Sequence, residues 1–185
     1  MPRDARQVLT ELLVLAAQGG DERAFADLHD LWARDLRRFA MARLGNGGGS
    51  EEVVQDAWLA IARNLGQLAD PACFPRWALR IVERRSADWL RRRRQDSGSS
   101  VPLTDAIQAR TPAPSADDDP DADGLRTAIA ALAPDARTLL HLFYEQGLSV
   151  AEVADVLDVP VGTVKSRLFT LRNTLRQLIE RRSPP

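Results

Sequence analysis

Cysteine is nearly absent from these 185 residues: Cys73 stands alone, which excludes an internal disulfide and any multi-cysteine zinc site. It reads as a small filler, buried or half-buried. The two histidines, His29 and His141, lie far apart in the chain, so no metal site is expected. No run approaches the roughly 18 apolar residues that a membrane span needs. The opening stretch MPRDARQVLTELL places acids inside what would be a signal peptide's apolar core, so a cytoplasmic protein is expected. The one glycine-rich run, GNGGG at 45–49, lacks the Lys-Ser/Thr that completes a phosphate-cradling loop and reads as a helix-helix turn. No cofactor is expected. Neither a nucleophile-base pair nor a carboxylate dyad appears in a setting that suggests chemistry, so the chain does not read as an enzyme. Strand candidates are missing too, which leaves an all-α fold.

A net charge of -1 argues at first against a nucleic-acid partner. Its distribution reverses that reading. Residues 1–94 hold 16 Arg against 13 acids, a net +3, and residues 125–185 hold eight basic and six acidic groups, a net +2. Between them, residues 95–124 hold one Arg and seven Asp, a net -6, with prolines at 102, 112, 114 and 120 and no apolar period. Two basic lobes thus flank an acidic tether that has little structure of its own.

The sharpest pattern is SVAEVADVLDVPVGTVKSRLFTLRNTL, residues 149–175. Ser149 followed by Glu152 is a capping box, where each side chain satisfies the other residue's free N–H, so a helix starts there. Val150, Val153, Ala154 and Leu157 then recur on one helical face. Pro160 suits the first turn of a following helix, and the chain must bend at Asp158 and Val159. In that second helix Val161, Val164, Leu168, Leu171 and Leu175 form the inward stripe. Thr163, Ser166, Thr170 and Asn173 face out, with Lys165 and Arg167 on the flanks and no acid before Glu180. A helix-turn-helix offers such a face to the DNA major groove, basic groups meeting phosphates while neighbours reach base edges. A helix around Leu125, Ile129 and Leu132 and another opened by Pro134 precede it.

The N-terminal lobe reads as four helices. The first, over 5–17, carries Val8, Leu12 and Leu15 on one side and stops at Gly19-Gly20. Asp21 caps a second, reaching Leu44, with the core stripe Phe25, Leu28, Trp32, Leu36 and Phe39. Ser50 caps a third, with Val54, Ala57, Trp58, Ile61 and Leu65 inward and Glu52, Gln55, Asp56, Leu59 and Arg63 outward. The fourth, FPRWALRIVERRSADWLRRRR, buries Phe74, Ala78, Ile81, Val82 and Trp89. Trp77, Arg80, Arg84 and Arg91 share a neighbouring strip. From Arg76 to Arg94 eight Arg face only Glu83 and Asp88, and Arg beside an aromatic ring both neutralises phosphates and stacks on unpaired bases.

GLSVAEVADVLDVPVGTVKSRL resembles region 4 of the sigma-70 family, above all its small extracytoplasmic-function (ECF) branch. EEVVQDAW is similar to the region 2 helix that docks on the polymerase clamp, and FPRWALRIVERRSADWLRRR looks like regions 2.3 and 2.4, which engage the minus-10 element. The resemblance implies region 2 over 1–94, a linker over 95–124 and region 4 over 125–185. It implies core-polymerase contacts at Glu51, Glu52, Gln55, Asp56 and Leu59, and minus-10 contacts at Trp77, Arg80, Arg84, Arg85 and Arg91. Minus-35 contacts fall at Thr163, Lys165, Ser166, Arg167 and Thr170. Residues 66–73 match the position where this branch captures a flipped-out base. Arg84 stands where the family commonly has Asn, and GNGGGS is unusually glycine-rich. The implied partners are core RNA polymerase, through its clamp and flap, promoter DNA, and an anti-sigma factor. The implied function is promoter-specific transcription initiation, reading minus-35 DNA and melting minus-10 DNA. Two alternatives fit parts of the pattern: a helix-turn-helix regulator acting without polymerase, and an interaction protein whose basic faces meet acidic proteins.

Overall fold

The computed structural model describes residues 4–45, 48–96, 129 and 132–180, which are helical with no strand among them. They group into two compact units, one built from the first four helices and one from the last three. The first holds α1 (Ala5–Gln18), α2 (Glu22–Leu44), α3 (Ser50–Asn64) and α4 (Phe74–Asp96). The second holds α5 (Pro134–Leu140), α6 (Val150–Leu157) and α7 (Val161–Glu180). The expected linker lies outside the described residues beyond Asp96, as does most of the helix expected around Leu125.

The α1 helix ends where Gly20 takes the left-handed conformation (φ 94°), letting the Asp21 and Gly20 N–H groups donate back to the carbonyls of Ala16 and Ala17. Asp21 Oδ1 then accepts from the N–H groups of Arg23 and Ala24, capping α2 as expected. The expected α1 stripe does share one side, but that side faces outward. Val8, Leu12 and Leu15 are 42, 59 and 55% exposed, while Thr10 and Val14 point in. The cause is Trp32 of α2: its buried indole N–H needs an acceptor, and Thr10 Oγ1 supplies it at 3.1 Å. Arg6 covers the same ring at 4.3 Å and pairs with Asp35.

Leu28, Trp32, Leu36 and Phe39 of α2 form the core with Val53, Ala57 and Ile61 of α3 and Phe74, Ala78, Leu79 and Val82 of α4. Three expectations shift here. Val53 is buried and Val54 only half-buried, so the α3 stripe starts one residue earlier, while Ala57, Trp58, Ile61 and Leu65 are buried as expected. Leu79 is fully buried where Ile81 is half-buried, and Trp89 is half-buried at the rim. Ser50 is the first helical residue and no cap; Gly49 occupies that position at φ 90°. Between α2 and α4, Arg43 Nε lies 2.9 Å from both oxygens of Glu83, with side chains only 16% and 12% exposed.

In the second unit Pro134 opens α5 and Leu139, Leu140 and Leu142 are buried. The chain widens to one π turn, His141–Glu145, closed by the Gln146 N–H donating to the His141 carbonyl at 2.9 Å. The capping box is present: Ser149 Oγ accepts from the Glu152 N–H and Glu152 Oε2 accepts from the Ser149 N–H. Val153, Ala154 and Val156 are buried, whereas Val150 and Leu157 are half-buried. Asp158 takes the left-handed conformation (φ 54°) and makes the sharp turn, after which Pro160 precedes α7 instead of entering it. Along α7 Val164, Leu168 and Leu171 are buried and Leu175 half-buried, but Val161 is 43% exposed because the stripe begins one turn later.

Arg43→Ala would take from the Glu83 carboxylate the guanidinium that meets both its oxygens between two helices, at a cost of about 2 kcal/mol. Calorimetry should show the first unit unfolding at a lower temperature and the second unchanged, with Arg43→Met/Glu83→Leu recovering most of the loss.

Candidate nucleic-acid interface

The outer line of α7 runs through Ser166, Phe169, Thr170 and Asn173, at i, i+3, i+4 and i+7 and therefore along one face. Lys165, Ser166, Arg167 and Thr170 are exposed as expected, while Thr163 and Asn173 are half-buried. Ser166 Oγ donates to the Thr163 carbonyl at 3.0 Å and Thr170 Oγ1 to the Ser166 carbonyl at 3.2 Å. Each hydroxyl hydrogen is thus used within the helix, and each oxygen offers its lone pairs outward as an acceptor. Phe169 is 67% exposed among them, a residue absent from the outer face expected on sequence. Its position one residue past Leu168, off the buried stripe, is the signal that could have found it. An exposed phenyl suits apolar contact with a thymine methyl. The helix is braced from behind: Arg172 Nε donates to Tyr144 Oη at 2.9 Å, and its guanidinium lies 6.0 Å from the Phe143 ring.

On α4 the strip of Trp77, Arg80, Arg84 and Arg91 forms on one side of the helix. Trp77 and Arg80 are half-buried and Arg84 and Arg91 exposed. Trp77 packs on Phe74 with ring centres 6.1 Å apart. Arg91 is held by Asp88 at 2.6 Å. Arg85 is exposed but turned about 100° from Arg84 by the helical period, so it stands beside the strip.

The segment before α4 consists of two short turns, Leu65–Gln67 and Pro71–Cys73. Gln18 of α1 donates to the carbonyls of both Leu65 and Leu68 at 2.8 Å, an attachment with no sequence signal. Asp70 caps the second turn by accepting from the Ala72 N–H at 3.0 Å. Its other oxygen accepts from Cys73 Sγ at 3.2 Å, and Arg76 donates to the same sulfur at 2.8 Å. Burial, and next the hydrogen bond to Asp70, push the Cys73 thiol above its ordinary value, against the pull of Arg76.

On α3 Gln55 and Leu59 are exposed and Asp56 half-buried, a mixed polar and apolar face. Glu51 and Glu52 are engaged within the unit: Glu51 pairs with Arg37 at 2.6 Å, and Glu52 Oε2 accepts from Trp89 Nε1 at 3.1 Å. Among the described residues no cluster of His, Cys, Asp and Glu could hold a metal ion, and no helix is long and apolar enough to cross a membrane.

Residues 28–95 match the model of sigma-70 region 2 and residues 122–175 that of sigma-70 region 4. The ECF RNA polymerase sigma factor SigM of Mycobacterium tuberculosis is 30% identical over 167 residues, covering 90% of this chain and 83% of that protein. A probable RNA polymerase sigma factor, RfaY of Xanthomonas campestris, is 31% identical over 172 residues, covering 89% of this chain but 43% of that longer protein. In structure, the sigma factor RpoE of Bartonella quintana, solved with the anti-sigma factor NepR, superposes with a TM-score of 0.68 at 21% identity over 86% of this chain and 98% of that one.

The raised Cys73 thiol should alkylate more slowly at pH 8 than a cysteine in an unstructured peptide. Asp70→Asn keeps a capping oxygen but removes the carboxylate, leaving Arg76 to favour the thiolate, so the rate should rise; timed alkylation with mass readout checks both.

Proposed function

The chain belongs to the sigma-70 family, in its ECF branch, and from that membership we propose that it directs promoter-specific transcription initiation by delivering core RNA polymerase to DNA through three separate surfaces. The reading is carried by one observation: both family models match in order, each over a unit that exposes a basic or hydroxyl-bearing helix face. Residues 1–94 act as region 2, 95–124 as the linker and 125–185 as region 4. The α3 face centred on Gln55, Asp56 and Leu59, with Glu51 at its N-terminal end, docks on the polymerase clamp, and region 4 meets the flap; Glu52, first expected in that set, is turned onto Trp89 of α4 instead. Trp77, Arg80, Arg84, Arg85 and Arg91 engage minus-10 DNA. Thr163, Lys165, Ser166, Arg167 and Thr170, joined by Phe169, read the minus-35 duplex in the major groove.

The mechanism is recruitment and strand capture, with the chemistry left to the polymerase. Melting exposes bases that cost a few kcal/mol each to unstack. Arginines on α4 offset that cost at the phosphates, and Trp77 offers a ring on which an unpaired base can stack. The protein works where the polymerase works, in the cytoplasm, and an anti-sigma factor that covers these faces would hold it inactive. The Bartonella relative's complex with such a factor supports that last reading.

Run-off transcription with core polymerase on a library of promoter-length duplexes tests the proposal. Gln55→Lys/Asp56→Lys should abolish stimulation by weakening core binding, whereas Arg80→Ala/Arg84→Ala should leave core binding intact and lose opening. A clean footprint by the protein alone, with no stimulation of polymerase, would instead make it an ordinary helix-turn-helix regulator. For the holoenzyme, Lys165→Ala/Arg167→Ala should lessen the slope of log affinity against log salt by about two, one unit for each phosphate that is no longer neutralised.

A further inference from the structure

Beyond Ser86, which is fully buried, α4 carries no buried side chain among the described residues: Trp89 and Leu90 are half-buried and residues 91–95 exposed. Four successive Arg on such an end repel one another, and a helix end without tertiary contacts frays. Trp89 supplies a contact. Its indole lies against the bare backbone of Gly49, where an added Cβ would sit 2.3 Å from the ring carbons Cε2 and Cζ2. Gly49 also has φ 90°, so both its conformation and its lack of a side chain are required. The indole N–H donates to Glu52 Oε2 at 3.1 Å, and Glu52 Oε1 lies 3.8 Å from the Arg92 guanidinium. Arg93 adds a further contact, its guanidinium 5.0 Å over the Trp89 ring.

We infer that Glu52 is a positioning residue that acts through Trp89 to hold the arginine-rich end of α4, and is not a contact for the polymerase. Both of its carboxylate oxygens are turned toward α4, and the hydrogen bond to an indole packed on Gly49 gives the carboxylate a fixed orientation. The exposed Glu52–Arg92 pair adds little by itself, since an ion pair at this exposure is screened by water. Glu52 therefore sets where Arg91 to Arg94 point, and so serves the DNA-facing surface from the helix whose other residues serve the polymerase. This inference rests on the assignment of α3 to polymerase and α4 to DNA proposed above.

Four variants of the full chain decide it: Glu52→Ala, Glu52→Gln, Trp89→Phe and the Glu52→Ala/Trp89→Phe double. Amide hydrogen exchange at residues 88–96 should speed up in Glu52→Ala and Trp89→Phe and stay near the parent rate in Glu52→Gln, whose amide oxygen still accepts from the indole. In the holoenzyme, promoter opening should fall by about tenfold in Glu52→Ala and in Trp89→Phe, with the double no worse than either, the non-additivity of residues acting as one unit. Core-polymerase affinity should be unchanged in all four. Weakened core binding in Glu52→Ala but not in Trp89→Phe, or unchanged exchange at 88–96, would overturn the inference. If the parent protein fails to stimulate transcription, the proposed function falls, and the exchange measurement on the free protein still decides whether Glu52 holds α4.

Discussion

A carboxylate enclosed between two helices must meet a cation there, and Glu83 meets Arg43. The pair fixes how α4 lies on α2, because a slip along either helix would part charges that water cannot easily reach. Much of the first unit follows from that registration. With Glu83 turned inward, the outward strip of α4 loses one of the two acids within its arginine-rich stretch, and the other, Asp88, is bound to Arg91. Phe74 at the start of the same helix packs edge-on against Trp32, with ring centres 5.9 Å apart, which carries the registration back to α1 through the Thr10 and Arg6 contacts on that indole.

The second unit solves a different problem, that of turning the chain within a few residues from the short α6 into the long α7. Its means are local: reciprocal caps at Ser149 and Glu152, a left-handed Asp158, and a proline immediately ahead of α7. The Val159 N–H reaches back to the Ala154 carbonyl at 3.1 Å, so the end of α6 is satisfied inside the turn. This leaves the polar groups of α7 uncommitted to the fold on their outer side.

Legibility in the sequence followed the range of the interactions. The α6 cap, the Asp21 cap, the α2 stripe from Leu28 to Phe39 and the Trp77–Arg91 strip depend on neighbours within one or two turns and are legible in the sequence; Phe25, expected at the head of the α2 stripe, is half-buried. The orientation of α1 is hidden because that helix is apolar on both sides, and only the need of Trp32 for an acceptor decides which side turns in. Ser50 resembles a cap, but Trp89 requires a glycine next to it, so the helix start falls to Gly49. The departures at Val53, Leu79 and Val161 all lie within one turn of the expected positions, ambiguities of the helical period settled by which partner helix crosses nearby. Phe169 is legible only from its place one residue past Leu168, off the buried stripe, and Gln18 not at all, because a side-chain amide reaching a carbonyl 47 residues away leaves no periodic trace.

The two hydrogen bonds from Gln18 have a consequence for the segment ahead of α4. That segment has few apolar anchors, yet its first turn is tied at two carbonyls to α1, some fifty residues earlier in the chain. The freedom it would otherwise have is given up when the protein folds. Whatever docks there meets a frame that is already set, so the free energy of docking is not diminished by ordering the receptor.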